Sequence, residues 1–232
     1  MKKQREVHAA VIVAGGSGTR MGQSINKIFL DICDIPVLAH TLTAFEQSTL
    51  IDDIVIVTRE CDIADCKAVC DDFGISKLTT IVTGGETRSK SVLKGLAEVA
   101  ADADIVAIHD AARCVITAEE IDDVIIAAQK YGAAALGVPC KDSLKRVDGE
   151  GNISETIARG GVWQVQTPQV FARADIIAAY GAAQNGAPAT DDCEIAERYG
   201  IKVKMVIGNY SNIKITTPDD LDIAETLLET RL

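Results

Sequence analysis

Strand-length apolar runs alternate with longer stretches of helical spacing along most of this chain, and that alternation fits βαβ units around a mainly parallel sheet. The runs fall near Val7 to Ala14, Ile54 to Thr58, Leu78 to Val82, Ile105 to His109 and Ala133 to Val138. Pieces such as AAVIVA and DIVAIHD are almost continuously hydrophobic, which predicts strands covered on both faces. Between them, Pro36 to Phe45, Asp62 to Phe73, Thr87 to Ala100 and Ala118 to Tyr131 repeat apolar residues at helical spacing. The expected fold class is α/β. With 232 residues, 47% of them hydrophobic, the chain can bury one sizeable core, so a single domain over 1–232 is expected.

Local signals agree with this outline. Thr117 with Glu120 reads as a capping box, and Thr217-Pro218-Asp219-Asp220 reads as the start of a last helix, with a cap, proline at the first position and acids in the first turn. The stretch 139–165 departs from the pattern, because the short strand-like pieces SLKRV and NISETI flank the turn DGEGN. The Asp148-Gly149 pair and Gly151 suit a hairpin, and its charged pattern suits a projecting β-arm.

Composition excludes several partners. A net charge of −11 argues against nucleic acid, so a phosphate ligand requires a local cationic pocket on an acidic protein. There is no apolar run of eighteen residues, and MKKQREVHAAVIVAGG passes from a charged start into a glycine turn without a cleavage pattern; no membrane partner and a cytoplasmic location are expected. The seven cysteines form no C-x-x-C pair and read as reduced thiols, with Cys61, Cys66 and Cys70 read as helix packing rather than zinc ligands.

The chemistry-bearing residues cluster at strand ends. The first strand runs into Ala14-Gly15-Gly16-Ser17-Gly18-Thr19-Arg20-Met21-Gly22, a loop that can bring backbone N–H groups against a phosphate. Met21 breaks the dinucleotide fingerprint, no acid ends a second strand at the expected distance, and the P-loop pattern is absent. The loop carries Arg20 and, shortly after, Lys27, two cations of the kind that charge build-up during phosphoryl transfer requires. A second glycine pair, Gly84-Gly85, precedes a helix on which Arg88 and Ser91 share a face; its backbone and Ser91 can read a base edge.

Asp110 ends the fourth strand, where ligands bind in open α/β sheets, and is the expected Mg²⁺ ligand, since Mg²⁺ takes one or two carboxylates together with substrate phosphates. His109 points to the opposite face of that strand and reads as a satisfied structural histidine. Lys141, Ser143, Lys145, Arg146, Arg159, Thr167, Thr190 and Lys214 follow, each unremarkable alone.

Taken together these motifs resemble the 2-C-methyl-D-erythritol 4-phosphate cytidylyltransferases of the non-mevalonate isoprenoid pathway. The resemblance runs in order through AGGSGTRM, NKIFL, PVLAHTLTAF, TGGETRSKSV, HDAARC, VPCKDSLKR, WQVQTPQVF, ATDDC and SNIKITTPDDL. It implies a Rossmann-like three-layer α/β/α nucleotidyltransferase domain whose β-arm interlocks with a second copy in a homodimer. It also implies CTP and a sugar-alcohol phosphate as ligands, with Ala14, Gly15, Gly16, Gly18, Gly84, Gly85, Arg88 and Ser91 around the nucleotide. Arg20, Lys27, Lys214 and Arg159 would be catalytic, Asp110 would meet Mg²⁺, and Asp110, Arg113, Ser143, Arg159, Thr167 and Thr190 would surround the acceptor, some across the dimer. The implied reaction is in-line attack of the acceptor phosphate on the α-phosphorus of CTP, releasing pyrophosphate without a covalent enzyme intermediate.

This chain departs from the family pattern at Asn26, where proline usually precedes the lysine, at Ile28, where glutamine is common, and at Cys114, where proline usually follows the arginine. Losing the prolines loosens turns without removing charge. The alternatives are a ribitol 5-phosphate cytidylyltransferase, against which Ala112 and the Arg88-Ser89-Lys90-Ser91 spelling weigh, and a non-catalytic nucleotide-binding protein, against which Arg20, Lys27, Asp110 and Lys214 weigh together. The failed fingerprint disfavours an NAD-dependent oxidoreductase.

Overall fold

The computed structural model describes residues 5–16, 26–183 and 188–231. The apolar runs form β1 (His8–Val13), β4 (Asp53–Thr58), β5 (Leu78–Thr83), β6 (Ile105–Asp110) and β7 (Ala133–Pro139), after a small β2 (Asp31–Ile32) and β3 (Ile35–Pro36) hairpin that follows β1. The helical stretches form α1 (Val37–Gln47), α2 (Ile63–Asp72), α3 (Arg88–Glu98) and α4 (Ala118–Tyr131). An arm of β8 (Leu144–Val147) and β9 (Ile153–Ile157) leads into β10 (Trp163–Ala172), α5 (Arg173–Ala183), α6 (Asp192–Arg198), β11 (Lys204–Ile207) and α7 (Asp219–Glu229).

The main sheet has seven strands in the order β11-β7-β10-β6-β1-β4-β5. β1 pairs parallel with β4 and β6, β4 with β5 and β7 with β11, while β10 alone runs antiparallel, between β6 and β7. The chain builds outward from β1 through β4 to β5 and then crosses to β6 on the other side. That reversal opens a crevice at the carboxyl ends of β1 and β6, where ligands bind in such sheets.

Apolar clusters lie on both faces, as the continuous hydrophobic strands require. Phe45, Leu38, Ile54 and Ile56 pack with α2 and α4 residues on one face, and Val11, Val57, Val92, Leu96 and Phe171 pack with α5 and α6 residues on the other. α3 lies so close to the sheet that a Cβ at Gly95 would meet Val11 at 2.5 Å and Val57 at 2.7 Å, so a glycine is needed there.

The capping box at Thr117 and Glu120 forms as read, closing the amino end of α4. The last helix differs from expectation: Pro218 occupies the cap position, and the backbone amides of Thr216 and Thr217 donate to the Asp220 carboxylate, 2.7 and 2.8 Å away. A carboxylate within the first turn of the helix thus replaces the expected threonine cap, and its charge is favoured by the positive end of the helix dipole. Cys66 and Cys70 are buried in the core, where burial pushes their thiols up to about 12 and about 11. Among the described residues no helix is long and apolar enough to cross a membrane.

Candidate active site

A cavity of about 300 Å³ opens at the carboxyl ends of β1, β5 and β6. One wall is Ala14, Gly15 and Gly16 after β1, continued by Asn26, Lys27 and Ile28; the opposite wall is Gly85, Glu86 and Thr87 with Arg88 and Ser91 of α3. Asp110, Ala112, Lys214 and Thr216 complete the lining. Gly84 sits directly behind, where an added Cβ would come within 2.8 Å of the Ser91 hydroxyl. The Thr87 side chain accepts from the Lys90 amide and caps α3, which fixes how Arg88 and Ser91 present themselves.

The cavity carries an ordered charge cluster. Asp110 Oδ1 accepts from Arg88 Nε at 3.1 Å, and its Oδ2 accepts from Lys214 Nζ at 2.7 Å. The other guanidinium nitrogens of Arg88 form a two-pronged pair with Asp192 at 2.9 and 2.8 Å, and the Tyr180 hydroxyl donates to the same carboxylate at 2.5 Å. Burial alone would raise the Asp110 carboxyl, but the Arg88 and Lys214 cations beside it hold it far below the usual carboxylate range. Burial alone would lower the Arg88 guanidinium, and the facing Asp192 and Asp110 carboxylates push it well above its ordinary value instead. Asp110 is thus always ionised and Arg88 always charged.

Behind Asp110 the polar groups are satisfied in a chain. The Asp110 amide donates to Thr167 Oγ1 at 3.1 Å, which leaves the threonine hydroxyl proton for His109 Nδ1 at 3.0 Å. This assigns the His109 proton to Nε2, facing the Arg113 carbonyl. The ring is fully buried against Phe45, and burial pushes it down to about 3. His109 is therefore a neutral structural group, as its strand face implied.

On the other wall, Lys27 Nζ donates to the Ile215 carbonyl at 2.5 Å, which ties the post-β1 loop to the segment carrying Lys214. The Asn26 side chain is 1% exposed, donating to the Ala14 carbonyl at 3.0 Å and to Asp62 at 2.8 Å.

Of the sequence-derived candidates, Ala14, Gly15, Gly16, Lys27, Gly85, Arg88, Ser91, Asp110 and Lys214 line this one cavity, with Gly84 and Thr167 packed immediately behind it. Gly18 and Arg20 lie outside the described residues. Arg113 does not line the cavity, its guanidinium donating to the Asn212 carbonyl at 2.8 Å, although its charge still acts on Asp110. Ser143 and Arg159 are exposed at the arm, and Thr190 is exposed before α6 with its hydroxyl on Glu194, so one copy does not bring these three to the cavity lining.

Sequence reasoning missed Asp192, Tyr180 and the carboxamide of Asn26. The Asp191-Asp192 doublet was a visible signal, yet it reads equally as a helix cap, and Asp191 does cap α6 by accepting from the Glu194 amide at 2.9 Å.

The donor set suits a hard cation. Each Asp110 oxygen spends one lone-pair direction on a nitrogen donor and retains another, and an ionised carboxylate is the kind of ligand that Mg²⁺ takes from a protein.

Comparison with known proteins places the whole chain in one family. Residues 8–230 match the family model described as IspD: 2-C-methyl-D-erythritol 4-phosphate cytidylyltransferase. The chain is 46% identical over 222 residues to the protein of that name from Caldanaerobacter subterraneus subsp. tengcongensis, covering 95% of this chain and 98% of the relative. It is 42% identical over 226 residues to the one from Pelotomaculum thermopropionicum, covering 96% and 94%. Its fold superposes on the crystal structure of 4-diphosphocytidyl-2C-methyl-D-erythritol synthase from Anaerococcus prevotii with a TM-score of 0.85 at 31% identity, over 97% of this chain and 96% of that one. The Thermus thermophilus enzyme's structure gives a TM-score of 0.78 at 28% identity, over 94% and 98%.

Proposed function

The chain belongs to the 2-C-methyl-D-erythritol 4-phosphate cytidylyltransferase family, and from that premise we propose how its cavity carries out CMP transfer from CTP to 2-C-methyl-D-erythritol 4-phosphate. The observation that carries the reading is Asp110 held between Arg88 and Lys214 in a cavity walled by two glycine loops. The loops at Gly15-Gly16 and Gly84-Gly85 allow backbone to approach the nucleotide, with Ser91 near the base. Lys27 and Lys214, joined by Arg20, neutralise charge on the phosphates. An oxygen of the acceptor phosphate forms a bond to the α-phosphorus as the bond to the β-phosphate oxygen breaks, and pyrophosphate leaves with that electron pair.

The attacking phosphate is already an anion, so no general base is needed, which suits a site whose neighbouring histidine, His109, is buried and neutral. Positioning and charge stabilisation supply the rate. Mg²⁺ held by Asp110 would add Lewis-acid neutralisation of the phosphates when bound. Ser143 and Arg159 reach an acceptor only if the β-arm of a second copy delivers them, so the working form is a homodimer, and the setting is the cytoplasm.

The test is pyrophosphate release with CTP and Mg²⁺, comparing methylerythritol phosphate, ribitol phosphate and no acceptor. Release with methylerythritol phosphate alone supports the reading. Release only with ribitol phosphate, or with neither acceptor, overturns it.

A further inference from the structure

We propose that Asn26 is a positioning residue for nucleotide transfer, acting as a side-chain clamp that sets Lys27 and the Ala14 loop relative to each other. The inference rests on the reading of the cavity as a nucleotide site. Asn26 precedes Lys27 directly and is buried at 1% exposure, although it is polar and belongs to a loop. A buried carboxamide persists only when its groups are bonded, and here each one has a task. Both protons of its Nδ2 are used, one on the Ala14 carbonyl at 3.0 Å and one on Asp62 Oδ2 at 2.8 Å. Its Oδ1 faces the Ile28 amide at 3.4 Å, at the start of the 3₁₀ turn that contains Lys27.

Asp62 is itself anchored. Its carboxylate takes two bonds from Arg59, at 2.7 and 2.8 Å, just past the end of β4. Arg59, Asp62 and Asn26 thus form a relay from the end of β4 to Ala14, just after β1. The neutral carboxamide donates to a carbonyl and a carboxylate at once; aspartate would set a second anion against Asp62, and leucine would remove this donor from the Ala14 carbonyl and leave Asp62 with Arg59 alone of the two. The backbone of Asn26, at φ −65° and ψ 127°, lies where proline fits, so the side chain does by hydrogen bonding what a ring does by restricting φ.

The experiment compares Asn26→Leu, Asn26→Asp and Asn26→Pro in the full chain, measuring kcat, KM for each substrate and CTP binding. Asn26→Leu is expected to lower kcat/KM for CTP by about tenfold to a hundredfold, of the order of one or two lost buried hydrogen bonds, while KM for the acceptor is unchanged. Asn26→Asp should regain activity as pH falls, because protonating one of the two facing carboxyls relieves their repulsion. Asn26→Pro should retain more activity than Asn26→Leu. In a Lys27→Ala background Asn26→Leu should have little further effect, since a residue acting through Lys27 has nothing left to position.

A raised acceptor KM with kcat unchanged, a pH profile for Asn26→Asp that matches the native one, or full additivity with Lys27→Ala overturns the clamp. If a variant fails to fold, CTP binding by the remaining ones decides. A native protein that releases no pyrophosphate overturns the reading of the site instead, and CTP binding then still tests the clamp by itself.

Discussion

The cavity floor and the β-arm both carry ion pairs, but they use them in opposite ways. In the cavity Asp192 is completely buried and holds Arg88 through two bonds, with Tyr180 on the same carboxylate and Asp110 on the far side of the guanidinium. In the arm Arg146 meets Glu155 across β8 and β9 at 3.0 Å in full view of solvent. An exposed pair of that kind contributes about 0.2–1 kcal/mol, whereas removing one partner of a buried pair costs about 3–5 kcal/mol. One copy of the chain therefore over-determines the cavity, while the arm leaves Val147 56% and Ile153 65% exposed. The first region is held together by buried ion pairs within one copy, and the second presents apolar side chains that the proposed homodimer would cover.

Breaking the buried side of that contrast should have the largest effect. Asp192→Ala is expected to destabilise the fold by about 3–5 kcal/mol and to release Arg88 from its aim at Asp110, whereas Glu155→Ala should stay within about 0.5 kcal/mol; urea midpoints for the two variants check this. Equal shifts would show that burial does not separate the two regions. Next in size, Lys27→Ala should lower kcat by about 10²–10³ with an unchanged circular dichroism spectrum, because it removes a fixed cation rather than a packing contact. Near-normal turnover would remove Lys27 from the phosphate role.

A third effect is graded with pH. His109 ordinarily titrates at 6.5 but is held neutral in the fold down to about 3, so only the unfolded chain takes up its proton between those values. The stability this neutral ring permits is complete above 6.5 and falls with pH below it, by up to about 1.4 kcal/mol for each pH unit. Unfolding midpoints at pH 7 and pH 5 should differ more for the native chain than for His109→Asn; matching differences would mean that other groups set the acid limit. The smallest effect on the monomer sharpens the other side of the contrast. On the proposed homodimer, Ile153→Ser should leave the melting temperature of the isolated chain nearly unchanged while shifting the sedimentation profile from dimer toward monomer. An unaltered dimer would place the interface elsewhere.

What could be read in advance follows the range of the forces involved. The helix and strand pattern, the capping box at Thr117 and Glu120, and Asp110 at a strand end were legible because each depends on residues a few positions apart. β10 was not among the strands read from the sequence; its Pro168, of a kind that central strands avoid, fits because it lies at the irregularity in pairing between Val165 and Gln169. Tyr180 gave no signal, since a tyrosine on an apolar helix is ordinary, and Asn26 stood out only as a missing proline, which says nothing of what its carboxamide bonds.

The sequence by itself determined an α/β chain, two glycine loops at strand ends, and the inventory of charged residues available to them. Only the tertiary structure decided which of those charges meet. Arg88 reaches Asp192 and Lys214 reaches Asp110 across 104 residues each, because the sheet order sets β1 beside β6 and brings α3, α6 and the segment before α7 to one crevice. Periodicity registers neighbours along the chain, whereas a buried ion pair registers neighbours in space, which no local spacing encodes.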